Sequence, residues 1–325
     1  MGGDSPFASV IVCTRNRSTF LGEVCQEIVR VEYPRKSWEL LIVDNGSTDD
    51  TVQVARKIVG DHPSLVRVVQ EPQTGLSIAR NRGIREAKGE IIAFIDDDAF
   101  PDPPWLETLV GALAEPGVMC AGGPVDPMFQ GDTELPDWFI GRFLPYLTVF
   151  DRGPAPVELR FNEYPRGANI AYRREVFERY GVFSPHLGRK GTKLLSCEET
   201  EHCLRIERGG GRIRYVPQAR VRHLTVAERI TPDWMAKRFR AQGQSEAIVN
   251  WIHAGWEGVC VGWRTLRRTA REARQRRAID GAVLTACQRE SYRGYVMTIP
   301  SAVLRVPRYV PGPSAGELSD WLPFA

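Results

Sequence analysis

The sequence predicts an α/β domain built on a mainly parallel sheet, followed by a helical, basic C-terminal extension. Three observations carry that expectation. Short β-branched runs alternate with segments of helical periodicity through the first hundred residues, the pattern of repeated βαβ units. The apolar run Ile91–Ile95 ends in three aspartates, Asp96, Asp97 and Asp98. A buried strand cannot hold three unpaired carboxylates in a core, so they must project from its carboxyl end, where open α/β sheets bind ligands. From Pro232 onward the pattern is helical and rich in arginine.

The elements follow in order. Ala8 to Cys13 is a strand, and Phe20, Leu21, Val24, Ile28 and Val31 then recur at helical spacing until Pro34 stops them. Leu40 to Val43 is a second strand, closed by Asn45-Gly46. Ser47 with Asp50 three residues on has the form of a capping box opening a helix through Ile58. Leu65 to Val69, a helix from Gly75 to Ala87, and Ile91 to Ile95 complete the regular half. A helix at Trp105 to Ala114 and a strand at Val118 to Ala121 follow. Residues 123–165, rich in Pro, Gly and aromatics, read as a long loop region with short elements, usually a functional feature. Asn169 to Tyr172 and Arg212 to Val216 are strands; Arg174 to Tyr180 and Glu198 to Glu207 are helices. His223 follows a strand-like segment from Tyr215 to Val221, at its end. A Pro-punctuated tail begins at Pro300.

The 325 residues are 42% hydrophobic and 26% charged, which describes an ordinary globular protein, and a net charge of +3 makes no case for nucleic acid. Seven cysteines (Cys13, Cys25, Cys120, Cys197, Cys203, Cys260, Cys287) are scattered without CxxC pairing. A disulfide framework or zinc site is not expected, and the cytoplasm is the natural compartment. No signal peptide and no membrane-spanning apolar stretch are expected.

The chemistry concentrates at strand ends. The Asp96–Asp98 cluster offers hard oxygen donors for Mg²⁺ or Mn²⁺, and through it for a pyrophosphate; a solvated acidic turn before Pro101 is the plain alternative. Thr14-Arg15-Asn16 and Asp44-Asn45 end neighbouring strands, where a nucleotide can lie across them. Asp44 can accept from a base imino group or serve the Gly46 turn. Arg80 and Arg82, flanking Asn81, are either phosphate contacts or exposed helical charges. Gly167-Ala168-Asn169 allows close approach of a ligand, with Asn169 reading hydroxyls, or is turn usage. Glu198, Glu199 and Glu201 complement a helix dipole and leave room for a general base. His223 is a metal, phosphate or structural residue. Trp138 and Trp234 are core packing or ring-stacking candidates.

Five segments in order, ASVIVCTRNR (8–17), LLIVDNGSTDDT (40–51), GLSIARNRGIREAKGEIIAFIDDDAFP (75–101), RGANIAYRREVF (166–177) and CEETEHCLRI (197–206), resemble the inverting family 2 glycosyltransferases. The resemblance covers about residues 7–225. It implies a GT-A fold, a Rossmann-like three-layer sandwich that binds a nucleotide-diphospho-sugar, as residues 1–225, with 226–325 as a helical extension. It implies nucleotide binding by Thr14, Arg15, Asn16, Asp44, Arg80, Asp96 and Asp97. It further implies metal binding by Asp96, Asp98 and His223, and donor or acceptor sugar contacts by Gly167, Ala168, Asn169 and Trp138. Glu198-Glu199 stands where the family has a Glu-Asp pair, which makes Glu199 the base one methylene longer than usual, with Glu198 beside it. The implied reaction moves a sugar from a UDP, dTDP or GDP donor, UDP by default, to an acceptor hydroxyl on a lipid-linked compound or small metabolite.

Two rivals are weighed. A sugar-phosphate nucleotidyltransferase would open with a Gly-rich loop where this chain has Thr14-Arg15-Asn16-Arg17. An inactive sugar-nucleotide or glycan-binding module would have no need of Asp96, Asp98 and Glu199 together. In the extension, seven arginines against two acids between Val261 and Asp280, with Trp251, Trp256 and Trp263, suit an anionic membrane surface. Two readings stand for 232–280: helices packed on the catalytic domain with their arginines solvated, which is preferred, or peripheral contact with the inner face of the membrane.

Overall fold

The computed structural model describes residues 5–131, 133–275 and 277–309. In chain order the regular half runs β1 (Ala8–Thr14), α1 (Leu21–Ile28), β2 (Trp38–Asp44), α2 (Thr51–Asp61), β3 (Val66–Gln70), α3 (Leu76–Glu86) and β4 (Ile91–Ile95). Strands β1, β2 and β4 are apolar on both faces because each face is covered. Val10 and Val12, Leu40 and Ile42, and Ala93 and Ile95 point into one core with α1, whereas Ile11, Leu41 and Val43, and Phe94 point into a second core beneath α3. That alternation, with helices on both sides, makes a three-layer sandwich. Helix α1 shows the matching stripe, burying Leu21, Val24, Cys25 and Ile28.

The irregular half supplies β5 (Ala99–Pro101), α4 (Trp105–Leu113), β6 (Val118–Gly122), β7 (Val125–Phe129), a 3₁₀ segment at Gly141–Leu147, β8 (Val157–Leu159), β9 (Asn169–Arg173), α5 (Glu175–Tyr180), α6 (Glu198–Arg208), β10 (Arg212–Tyr215) and β11 (Val221–Thr225). The large sheet has the order β3-β2-β1-β4-β9-β6-β10-β8, and β5-β11-β7 form a second, small sheet. Strands β3, β2, β1 and β4 are parallel; β9 enters antiparallel between β4 and β6.

Two pairings position the site. Asn169 at the start of β9 is opposite Ile95 at the end of β4, so Gly167 and Ala168 arrive beside Asp96. His223 is paired with Ala99, next to Asp98, and Leu224 N–H donates to the Asp98 carbonyl at 2.8 Å.

Several expectations are corrected. His223 lies in the middle of β11, not after a strand, because the chain turns between β10 and β11 and changes sheet. The Ser47 capping box does not form: α2 starts at Thr51, whose N–H is taken by Asp49 Oδ1 at 3.0 Å. Ser47 Oγ instead accepts from the Asn16 N–H at 3.0 Å, fastening the β2 loop to the β1 loop. Helix continues past Pro300 to Arg305.

The C-terminal part is two long helices, α7 (Pro232–Gln275) and α8 (Arg277–Arg305), each interrupted, at Gly255 and Gly281. Gly255 has φ +55°, a left-handed value that favours glycine and breaks α7 there. Before the break, α7 is packed on the rest of the chain. Met235 and Phe239 join Phe143, Leu147, Leu284 and Cys287 in one apolar cluster. His253 Nε2 contacts Glu201 Oε1 at 2.8 Å, and Trp251 Nε1 donates to the Val306 carbonyl at 2.7 Å. The packing alternative therefore holds for 232–254. No helix among the described residues is long and apolar enough to cross a membrane.

Candidate active site

Two adjoining cavities lie over the carboxyl ends of the parallel strands. One, of about 390 Å³, is lined by Thr14, Arg15, Arg17, Asn45, Asp96, Asp97, Asp98, His223 and Arg229, among others. The other, of about 370 Å³, is lined by Glu198, Glu199, Gly167, Ala168, Arg166, Arg238 and Glu246, among others. Leu76, Asp96, Thr148 and Arg189 line both.

In the first cavity the ligand atoms of Asp96, Asp98 and His223 all lie within 4.8 Å of one another. An ion bound at about 2.1 Å sets its donors roughly 3–4 Å apart, so the trio fits a small divalent cation. Asp98 divides its two oxygens: Oδ1 faces His223 Nε2 at 3.1 Å, while Oδ2 meets Arg229 at 3.1 Å and Arg17 at 3.4 Å. Burial alone would raise the Asp98 pKa, but His223 and the two guanidiniums outweigh it and hold the carboxyl well below the usual range. Asp97 goes the other way. Its burial, and then the charge of Asp98, push it up to about 7, against the pull of Arg17. The neighbouring aspartates are thus electrostatically distinct, and Asp98 is the one kept ionised.

Arg80 lines the second cavity and reaches Asp96, which lines both. Its Nη1 donates to Glu198 Oε1 at 2.8 Å, and its Nη2 to Asp96 Oδ1 and the Gly167 carbonyl, both at 3.1 Å. Gly167 is required by this contact, since a Cβ there would stand 2.6 Å from the guanidinium. Burial would lower the Arg80 pKa, but Glu198 and Asp96 raise it further, so the cation is permanent. Glu198 is buried, and burial together with the charge of Glu199 lifts its pKa to about 7 despite Arg80. Glu199 is half-buried on the cavity wall. Both stand in the first turn of α6, entered through Cys197 at φ +68°. That left-handed value is strained for a residue with a side chain and turns the helix start into the cavity. Glu201, one residue beyond Thr200, is structural: it is buried against Arg205 and His253, and they hold it at about 2 although burial alone would raise it.

The remaining sequence-predicted residues separate. Thr14 and Arg15 line the first cavity, whereas Asn16 and Asp44 do not. Asn16 Oδ1 accepts from Thr48 N–H at 2.8 Å, and Asp44 is buried beneath the Ser47 N–H at 3.3 Å. Two sugar-contact expectations are corrected. Asn169 is wholly buried, accepting from Trp105 Nε1 at 2.8 Å and donating to the carbonyls of Pro124 at 2.9 Å and Ala219 at 2.7 Å, so no part of its amide is left to read a hydroxyl. Trp138 packs edge-on against Phe139 and Phe143 and lines neither cavity.

Sequence reasoning missed Arg17, Arg189 and Arg229 around the acidic cluster, and Arg166, Arg238, Gln242 and Glu246 in the second cavity. Arg166 adjoins Gly167, and Arg17 follows the first strand's Thr14-Arg15-Asn16, so proximity to named motifs was an available signal for both. For the α7 residues there was none.

The sequence model described as Glycosyl transferase family 2 matches residues 9–181. A glucosyl-dolichyl phosphate glucuronosyltransferase of Haloferax volcanii is 31% identical over 250 residues, covering 75% of this chain and 78% of that protein. The mannosyltransferase PcManGT of Pyrobaculum calidifontis, solved with GDP-Man and Mn²⁺, superposes with a TM-score of 0.55 at 22% identity, covering 92% of this chain and 73% of that one. GalNAc-T7, solved with UDP, GalNAc and Mn²⁺, gives 0.57 at 17% identity, covering 94% and 58%. The likeness to these two structures establishes the GT-A fold. An Asp-x-Asp cluster at the end of β4, two acids opening α6 and a family match over more than half the chain lead to one assignment: the protein is a glycosyltransferase and belongs to glycosyl transferase family 2.

Proposed function

We propose that this glycosyltransferase moves a sugar from a nucleotide-diphosphate donor, UDP-linked by preference, to a hydroxyl of a lipid-linked acceptor, with inversion at the anomeric carbon. The observation that carries the reading is the junction at Asp96. On one side of it lie Asp98 and His223; on the other, Glu198 and Glu199 at the start of α6. Nucleotide and diphosphate fit the first cavity, along Thr14, Arg15 and Asn45; acceptor and base share the second.

Glu199 is assigned as the base. It takes the acceptor proton as the new C–O bond forms, a contribution of about 10²–10⁴ in rate. Glu198, fastened to Arg80 at 2.8 Å, is less free to do so and serves to fix Arg80 over Asp96. Asp96, Asp98 and His223 would hold Mn²⁺ or Mg²⁺, which supplies neutralisation of the charge on the departing diphosphate. The imidazole in the set favours Mn²⁺. Arg189, lining both cavities, is placed to meet the same diphosphate.

The Haloferax relative is a glucosyl-dolichyl phosphate glucuronosyltransferase, which supports the lipid-linked acceptor. Beyond Gly255, Trp256 and the arginines 264, 267, 268 and 271 are exposed, a surface suited to an anionic membrane. All seven cysteines are free, in keeping with the cytoplasmic side.

Calorimetric titration with UDP, GDP and dTDP, each with and without Mn²⁺, tests the reading. Metal-dependent binding of one nucleotide, lost in Asp98→Ala, is the expected result. Equal binding with and without metal, or none to any nucleotide, would sink it.

A further inference from the structure

We infer that the cavity beside Glu199 receives an acceptor bearing a phosphate group, which Arg166 and Arg238 bind. The inference rests on the glycosyl-transfer reading above and specifies the acceptor's chemistry.

Four arginines line this cavity. Arg80 is occupied by Glu198 and Asp96, and Arg189 reaches the donor side. Arg166 and Arg238 line the acceptor side alone, and neither makes an ion pair within 4.0 Å among the described residues. The Arg166 guanidinium lies 5.2 Å from the Phe150 ring centroid, and that of Arg238 5.9 Å from Tyr146. Arg238, only 9% exposed, donates from Nη1 to Gln242 Oε1 at 3.2 Å. The Nε atoms of both arginines are buried without a hydrogen-bond partner among the described residues.

The facing acids do not balance them. Glu199 and Glu246 are the carboxylates left once Glu198 and Asp96 are assigned to Arg80. Burial pushes Glu246 up to about 7, so near neutrality it carries only part of a charge. Burial also pulls Arg166 below the ordinary guanidinium range, the sign of a cation short of anions, with Glu199 its largest opposing influence. Arg166 and Arg238 line the same wall as Glu199 and do not line the donor cavity, so an anion they bind belongs to the acceptor and not the donor. Neither guanidinium has a carboxylate partner among the described residues, and two forked guanidiniums with free donors match the oxygens of a phosphate.

The test is calorimetry on the full chain, with and without Mn²⁺ and UDP, using hexyl phosphate, hexyl glucoside, hexanoate and inorganic phosphate. Hexyl phosphate is expected to bind at least tenfold tighter than hexyl glucoside and hexanoate. Arg166→Gln and Arg238→Gln are each expected to weaken it tenfold or more, and Arg166→Lys to weaken it less, while Mn²⁺-dependent nucleotide binding stays within twofold. Preference for hexyl phosphate over inorganic phosphate would assign the group to a lipid headgroup; equal binding would assign it to a phosphorylated metabolite. Equal binding of hexyl glucoside or hexanoate, or undiminished phosphate binding in folded variants, would overturn the inference. Should a variant fail to fold, the wild-type comparison among the four probes still decides. Loss of nucleotide binding in the wild type would remove the glycosyl-transfer reading and leave the phosphate result standing by itself.

Discussion

Arg80 donates to Glu198 at 2.8 Å across a separation of 118 residues, and both side chains are almost completely buried. The pair locks α3 to the start of α6, with the second guanidinium nitrogen on Asp96. Removing the arginine leaves two carboxylates without their cation. Arg80→Met is therefore expected to cost about 3–5 kcal/mol in urea unfolding. The double variant Arg80→Met/Glu198→Gln removes one stranded charge and should be less destabilised than Arg80→Met alone. If the double variant is worse, the pair is not the source of the loss.

Glu246 makes stability depend on pH in a defined window. It is half-buried in the cavity wall, and desolvation there raises its pKa from 4.5 to about 7. An acid whose folded pKa is raised stabilises the fold fully below its unfolded value. That stabilisation is lost as pH climbs through the folded value, here between 4.5 and about 7. The shift corresponds to about 3 kcal/mol. Glu246→Gln should flatten the fall in urea midpoint between pH 5 and pH 8, with a residual slope from Glu198, which is raised in the same window. An unchanged slope would show that Glu246 titrates normally.

Asp98, in the turn leading into β5, faces His223 of the neighbouring strand β11 at 3.1 Å. His223→Ala is expected to weaken Mn²⁺ binding in the presence of nucleotide at least tenfold, and Asp98→Ala to abolish it, read by manganese paramagnetic resonance. Nucleotide-independent thermal stability should fall more in Asp98→Ala, because Arg17 and Arg229 lose their shared partner.

Glu199→Gln keeps the shape of the wall and removes the proton acceptor. Transfer should fall by about 10²–10⁴ while Mn²⁺-dependent nucleotide binding is retained. Near-normal transfer would move the base assignment to Glu198, since Glu201 is committed to Arg205 and His253.

Most of the sandwich was legible because both of its faces are buried. The runs 10–13 of β1, 40–43 of β2 and 91–95 of β4 had to be apolar, and α1 had to carry its stripe at i, i+3, i+4 and i+7. The small sheet was not legible. Strands β5, β7 and β11 run three to five residues, pair with segments about a hundred residues distant, and in β7 include Pro127. Local pattern does not encode such pairing. For the same reason His223 was read as a strand end and Asn169 as a ligand contact. The acids of the site were visible as clusters, whereas Arg229, Arg238 and Glu246 lie singly on elements whose placement depends on tertiary packing.

Asn169 shows how a motif residue can belong to the frame. Its amide joins β9 to Trp105 on α4 and to the carbonyls of Pro124 and Ala219, which lead into β7 and β11 of the small sheet. Every one of these groups is buried, and the Pro124 carbonyl keeps the Val221 N–H at 3.1 Å, so truncation strands the indole N–H and the Ala219 carbonyl, at about 1–3 kcal/mol for each group left unsatisfied. Asn169→Ala is expected to lower stability by about 2–4 kcal/mol in total, because neighbouring atoms relax around the gap. Asn169→Asp should be worse, since a carboxylate aims a charge at two carbonyls and offers no donor. Below the melting range, the acceptor KM of Asn169→Ala should remain within about twofold of wild type. A selective rise in KM at unchanged stability would return Asn169 to the sugar site, so melting and KM measured on one preparation decide between frame and ligand.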